Sequence, residues 1–583
     1  MAERHQTTGA LPQALFRPMR TDDQGLTLID LKTTSIPAAE QKILALGGEV
    51  IYSSQHNGAI RAKLSVLNVE PLAQLPEVQS VRAAAQAHTN GFLAGRLASH
   101  SSTRAVSQFS LLNALHLVPF IGSVTSQGYV AHAANQVVPG GINGTGVKVG
   151  VISDSALPDR VAALIATGDL PADMTVLPGQ EGPMNGENEG TAMMEIVHDL
   201  APGAKLFFAT AFISEESFAD NIRALRFVYG CDIIVDDISY FDEAVFQDSI
   251  VAQAVNDVTA DGALYFSAAA NSGNLTNRTS GTWEGDFKDG GDAGTVINSV
   301  EGRPVRIHDF ANSGVPQLYN ALRATSSFFG LHWSDPLGHS NNDYDFFVFN
   351  STGTTLKAVS FDDQTGSQDP FEYIEQGNRC GTATATGYCP AIGDRLVVVL
   401  VNGASRALHI DTERGLLAIG TSGATFGHNA GQSTVSMAAT AWNSARSGTK
   451  AFTGVQNPIE IFSSDGPRKI FYNPDGSAIT AGNFLFASNG GKTLQKPDLT
   501  AADGVFTKTP GFLPFFGTSA SAPHAAAIAA LVKSANPFLT NTQIRQIMVD
   551  TALDTMTPGA DRDSGFGITM ALPAVRAATS PAP

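Results

Sequence analysis

The chain has 583 residues, enough for about four compact units at the usual domain size. Lys and Arg number 36 against 54 Asp and Glu, a formal charge of −18, which excludes a basic nucleic-acid surface and a polybasic membrane surface. Hydrophobic residues reach 43%, so a sizeable core is available, while charged residues are sparse at 15% against about 25% in typical soluble domains. Few basic groups also mean limited self-repulsion once carboxylates are neutralised, which suits work in acid without requiring it.

Residues 1–25 are polar and read as a loose N-terminus. The start, Met1 to Gln6, lacks the apolar stretch of a secretory signal, and no apolar run is long enough to cross a membrane. An intracellular chain and one whose signal is absent both fit. Residues 26–85 alternate as strand, helix, strand, strand, helix, strand: Leu26–Leu31, Pro37–Leu46, Val50–Ser53, Ala59–Leu64, Val69–Leu75 and Val78–Ala83. That order predicts a ferredoxin-like split βαβ unit, with Gly47-Gly48 closing the first helix. Residues 86–143 read as a linker and lead-in.

From 144 the pattern turns α/β. Val147–Ser153 is a continuous apolar strand of the kind buried on both faces of a parallel sheet. Strands at Ala204–Phe212, Asp232–Val235 and Ala263–Ala268 alternate with helices at Gly190–Leu200, Ser214–Tyr229 and Asp248–Asp261. The alternation predicts a doubly wound parallel sheet with its site beyond the carboxyl ends of the strands. Residues 325–415 carry short strands and turns only, which predicts an inserted β-sandwich between the two parts of the α/β unit, 144–324 and 416–583. There Cys380 and Cys389 bracket a short loop; a disulfide and free thiols are both compatible, and Cys231 reads as a buried thiol.

Three segments stand where chemistry sits in such a sheet. Asp154 follows the first buried strand, as an orienting carboxylate or a turn residue. Asn271, in Ala270-Asn271-Ser272-Gly273, follows the fourth strand and offers an amide to an oxyanion, or forms a turn. Ser519, in Gly517-Thr518-Ser519-Ala520-Ser521-Ala522-Pro523-His524, opens an Ala-rich helix whose dipole and free N–H groups suit a nucleophile, or an N-cap.

Together these segments resemble the subtilisin-like serine proteases. The segment 517–524 is similar to their nucleophile motif with Ser519 as nucleophile, Asp154 to their triad aspartate, and Asn271 to their oxyanion asparagine. Ala201-Pro202-Gly203-Ala204, Phe462-Ser463-Ser464-Asp465-Gly466-Pro467 and Lys496-Pro497-Asp498 look like further landmarks. The resemblance covers roughly 145–325 and 420–575 and departs at the middle position. Asn188-Glu189-Gly190-Thr191 stands where the family has His-Gly-Thr, so Glu189 takes the histidine's place. A carboxylate base resembles the sedolisins, the serine-carboxyl peptidases. Their second acid, one turn along the helix, is Met193 here, and their oxyanion aspartate is Asn271.

Other histidines fit poorly as a base. His198 lies nine residues after Glu189, half a turn away at 100° per residue, and His524 reads as a helix-packing group. A lone carboxylate of pKa about 4.3 is a weak base for serine, but a second acid raises one member of a pair. Asp154 is the expected partner, with Asp237 or Asp236 as a possible additional acid. This predicts a serine endopeptidase with Asp154, Glu189 and Ser519 catalytic, Asn271 in the oxyanion hole and an acidic optimum. The resemblance implies a zymogen whose 26–85 propeptide unit blocks the cleft, with cleavage between about 86 and 143. It implies secretion, polypeptide substrates and the protein's own propeptide as partner, with no nucleic acid and no transmembrane segment. No catalytic cofactor is expected. Asp343 and Asp345 alternate onto one strand face, as structural calcium ligands or a solvated face. An inactive subtilase-fold binding protein, and an acyl hydrolase or transpeptidase, remain the alternatives.

Overall fold

A computed structural model describes residues 21–22, 24–92, 121–311, 314–382, 385–444, 451–454 and 456–580. The expected loose stretch at 1–20 and the middle of the expected linker, 93–120, lie outside these.

Residues 24–83 form an antiparallel sheet of β1 (Leu26–Thr33), β2 (Glu49–Ser54), β3 (Ala59–Ser65) and β4 (Val78–Ala83), in the order β2-β3-β1-β4. Helices α1 (Ile36–Ala45) and α2 (Val69–Ala73) follow β1 and β3. Ser35 caps α1 through its side chain, and Ile36, Ala39 and Ile43 at helical spacing bury against Ile29, Leu31, Ile60 and Leu64 of the sheet. Two short strands follow, β5 (Ala87–Thr89) and β6 (Gly91–Phe92), where the sequence reads as linker.

The next elements are β7 (Lys148–Ser153), α3 (Pro158–Thr167), β8 (Thr175–Val176), α4 (Glu189–Leu200), β9 (Lys205–Thr210), α5 (Glu215–Phe227), β10 (Ile233–Asp236), β11 (Ile238–Tyr240), α6 (Ile250–Ala260) and β12 (Leu264–Ala268). A strand-rich stretch then begins at β13 (Thr282–Asp286), earlier than 325, and includes β14 (Phe328–Trp333), β15 (Asp343–Phe349), β16 (Phe371–Glu375), β17 (Arg395–Asn402) and β18 (Ala407–Asp411). The chain returns through β19 (Val435–Ala441) and β20 (Leu499–Asp503) to β21 (Phe516–Gly517) and α7 (Thr518–Ala535).

Seven parallel strands make the central sheet, in the order β20-β19-β12-β10-β7-β9-β8. On one face Val149, Val151, Phe208, Val235 and Phe266 pack against α4 and α7; on the other Ile152, Ala209, Ile234 and Tyr265 pack against α5 and α6. The apolar runs are continuous because both faces are covered. Seven alanines from Ala520 to Ala530 are among the fully buried side chains of α7 and let its backbone lie close to the sheet. The antiparallel strands β13-β18-β14-β16 form a second sheet, and β15 and β17 pair in a third. Leu331, Trp333, Leu408 and Ile410 of the former share a core with Phe346, Val348 and Val398 of the latter. Cys380 and Cys389 are joined in a disulfide, and Cys231 is a buried free thiol.

Asp343 and Asp345 do not occupy a solvated face. Every residue of β15 is buried, since its flanks are covered by both layers. Asp345 stands beside Glu301 and Glu372, and burial with those like charges pushes its carboxyl well above the ordinary range. Among the described residues no three His, Cys, Asp or Glu side chains are arranged to hold a metal ion.

Candidate active site

The carboxyl ends of the central strands and the start of α7 converge on Ser519. Gly517, with φ of +116°, takes the chain into the helix in a conformation suited to glycine. A Cβ there would overlap the Asn90 carbonyl oxygen. Ser519 is fully buried, and its backbone N–H donates to the Asn90 carbonyl oxygen at 3.2 Å. Asn271 leaves β12 and donates its side-chain amide to the same oxygen at 2.5 Å. The amide cannot turn over freely, because its Oδ1 accepts from the Thr518 N–H at 3.1 Å and the Thr518 hydroxyl at 3.0 Å. Two fixed donors therefore meet on one carbonyl, next to a serine at a helix N-terminus.

The carbonyl belongs to the chain itself. Residues 87–92 lie extended in the cleft. Thr89, His88 and Ala87 pair antiparallel with Ile238, Ser239 and Tyr240 of β11. The Asn90 N–H donates to the Asp237 carbonyl at 2.8 Å. Past Asn90 the strand changes partner, and Gly91 and Phe92 pair with Gly517 and Phe516 of β21. The Asn90–Gly91 peptide is thus held from both sides with its carbonyl on the two donors. The signal for this was weak in the sequence, since strands of three and two residues have no periodicity of their own.

Glu189 is the first residue of α4, entered through Asn188 with φ of +61°. Its carboxyl is buried and lies against Gly91, where a Cβ would overlap Oε1. Burial pushes it up to about 7; the Asp154 charge adds to the rise, and the Asp237, Thr89 and Ser519 side chains pull it down by hydrogen bonding. Asp237, just past β10, is pushed well above the ordinary range by burial and then by the Glu189 charge, and its carboxyl also feels the Ser519 and Ser153 hydroxyls. The two carboxyls lie close enough to raise one another, each disfavouring charge on its neighbour. Ser519 Oγ has no hydrogen bond of ordinary length, but it is near enough to both carboxyls to lower each of them.

Asp154 is held mainly by backbone donors. Its oxygens accept from the backbone N–H groups of Glu187 at 2.6 Å, Asn188 at 3.0 Å and Gly190 at 3.3 Å, and from the Ser155 hydroxyl at 3.0 Å. It fixes the turn into α4 and reaches Glu189 through its charge. Asp236, adjacent to Asp237, points the other way by strand alternation and accepts from the Ser267 hydroxyl, facing His428 at 3.0 Å. His428, between Asp236 and Glu243, is pushed up to about 10. His524 is turned from the serine, its ring nitrogens against the Ala520 carbonyl at 2.6 Å and the Ser126 hydroxyl at 2.9 Å. His198 is half-buried near Asp169, Asp173 and Gly168.

The first sheet docks on the α/β unit through polar contacts. Arg61 pairs with Asp30 through two bonds of 2.7 Å and donates to the Ile213 carbonyl at 2.6 Å. Tyr52 donates to Asp220 of α5 at 2.8 Å, and Arg82 bridges Glu215 at 2.7 Å and Asp242 at 3.0 Å.

Residues 351–567 match the Subtilase family, Peptidase_S8. The match includes Asn429 and Ser519 but not Asp154 or Glu189. Among solved structures, the CspB protease of Clostridium perfringens is 14% identical over 78% of this chain and all of its own, with a TM-score of 0.48. Fervidolysin from Fervidobacterium pennivorans, a keratinolytic enzyme related to subtilisin, is 12% identical over 98% of this chain and 64% of its own, with a TM-score of 0.39. The epidermin leader peptide processing protease of Staphylococcus aureus is 9% identical over 95% of this chain and 99% of its own, with a TM-score of 0.42. No curated protein matches the chain. Among the described residues no helix is long and apolar enough to cross a membrane. The subtilase match, spanning the segment that carries Ser519 at the head of its helix, supports a serine peptidase, a hydrolase of peptide bonds.

Proposed function

We propose that the protein is a serine endopeptidase of a sedolisin-like type, made as a zymogen that cuts its own Asn90–Gly91 bond. The observation that carries this reading is the Asn90 carbonyl oxygen, held by the Ser519 N–H and the Asn271 amide in the cleft. Ser519 Oγ attacks the Asn90 carbonyl carbon while Glu189 takes its proton. The oxygen gains its negative charge between the two donors already aimed at it. Glu189 then gives the proton to the Gly91 nitrogen as the bond breaks, from a carboxyl that lies against that residue. Water hydrolyses the Asn90 ester by the same two proton transfers in reverse. Asp237 is the second acid beside Glu189, and the Asp154 charge helps raise Glu189 into the range of a useful base.

In this reading the ferredoxin-like unit at 26–85 is the propeptide and partner of the cleft, and residues 325–415 belong to an inserted sandwich. Polypeptides are the substrates. The Cys380–Cys389 bond favours an oxidising, extracytoplasmic setting. No catalytic cofactor takes part.

The test is expression of the full chain as wild type, Glu189→Gln and Ser519→Ala. Wild type is expected to yield a fragment beginning at Gly91, and both variants to stay intact. Processing retained in Glu189→Gln alone would move the base role elsewhere. No Ser519-dependent processing, with no fluorophosphonate labelling of Ser519 in the folded protein, would sink the peptidase reading.

A further inference from the structure

We infer that the cleft selects an asparagine on the acyl side of the cut bond and a glycine on the leaving side; this rests on the endopeptidase reading above. The Asn90 side chain is fully buried in a pocket built for an amide. Its Nδ2 donates to Ser239 Oγ at 2.8 Å, and its Oδ1 accepts from Arg414 at 3.5 Å. The same Arg414 nitrogen also donates to the Thr89 carbonyl, so the guanidinium is held over the strand.

What makes Ser239 an acceptor lies one residue deeper. The Asn429 amide nitrogen shares its two hydrogens among the Ile238 carbonyl at 2.7 Å, the Ala268 carbonyl at 2.9 Å and Ser267 Oγ at 3.0 Å. Its Oδ1 is thereby turned to Ser239, whose hydroxyl points its proton there at 3.4 Å. The lone pairs of Ser239 Oγ face the pocket. Aspartate would set an oxygen against them, glutamine is longer by a methylene, and alanine leaves both pocket groups without their partner. Sites that hydrogen-bond a buried polar group reject substrates lacking it far more strongly than apolar pockets reject a missing methyl. On the leaving side, any Cβ at Gly91 would overlap Glu189 Oε1 and displace the carboxyl that moves the proton.

The experiment uses the full chain as wild type and with Asn90→Asp, Asn90→Gln, Asn90→Ala and Gly91→Ala, with Ser519→Ala as background. Self-cleavage at the 90–91 bond is followed by mass of the fragment beginning at Gly91. Each replacement is expected to slow it by about tenfold or more. Processed wild type is tested as well on quenched peptides carrying Ala-His-Thr-Asn-Gly, with Asp, Gln or Ala in the fourth place, so the answer does not depend on any variant folding. Here kcat/KM is expected to fall by about tenfold or more for each change. Equal rates across variants and peptides overturn the inference and leave the peptidase standing, as does Ser519-dependent cleavage confined to other bonds. Absence of any Ser519-dependent cleavage overturns both. Scission at 90–91 that survives Ser519→Ala, as when the Asn90 side-chain nitrogen attacks its own backbone carbonyl carbon and expels the Gly91 amine, removes Ser519 as nucleophile for this bond and overturns both.

Discussion

In the proposed mechanism Glu189 takes a proton from the Ser519 hydroxyl and gives it to the Gly91 nitrogen, so its ionisation is expected to set the rate. In the docked state its carboxyl is pushed up to about 7, chiefly by burial. The base form grows as pH rises, so self-cleavage is expected to accelerate through about pH 7. Once residues 87–90 leave, water reaches the carboxyl and its pKa falls towards the ordinary 4.5. The rising limb of peptide hydrolysis by processed enzyme is then expected at more acid pH than that of processing. Two pH–rate profiles check this, and coincident limbs would contradict it. Asn271→Ala is expected to slow processing by about 10²–10³, the usual loss for one oxyanion donor. Short motifs singled out Glu189, Ser519 and Asn271 in the sequence, and the structure gathers all three around the Asn90–Gly91 peptide. Asp237 was named only as an additional acid alongside Asp236; its place beside Glu189 was not readable, since Met193 occupies the helical position where a second acid was sought. The acid comes instead from the end of β10, and only the sheet brings it to α4.

At the scale of elements, the alternation of strands and helices and the split βαβ order were readable because apolar periodicity follows burial. Helix α3 escaped notice, and so did strands β19 and β20 as individual strands, among Gly, Ser and Ala that pack tightly without a strong pattern. β5 and β6 were hidden for another reason: their partners are the walls of the cleft, far away in sequence. The buried Arg61–Asp30 pair braces the first sheet where it meets the α/β unit. Arg61→Ala would leave Asp30 buried with no guanidinium and remove the bonds to Ile213 and Ala85. The expected cost is about 3–5 kcal/mol in that sheet's stability. A separate early thermal transition, together with slower processing, would be the signature. An unchanged melting curve would count against it.

Over the whole molecule, buried carboxyls dominate the response to pH. Burial pushes Glu189, Glu195, Glu460 and Asp465 each up to about 7 and Asp242 up to about 6. It pushes Asp199, Asp411 and Asp503 well above the ordinary carboxylate range. The folded state then holds protons that the unfolded chain has released above about 4.5, so this stability is full in acid and is lost as pH rises through about 7. Buried His132, His308 and His409, pushed down to about 4, 3 and 3, act in the opposite direction but are fewer. The melting temperature is expected to be higher at pH 5 than at pH 8, as calorimetry at the two values would register. The strand lying in the cleft carries one more implication. It is gripped by its main chain along both walls, so whatever replaces it must arrive as a bare, straightened thread. Compact proteins would survive the encounter until they fray, and a proline where Asn90 sits would slip the hold by lacking the hydrogen that Asp237 receives.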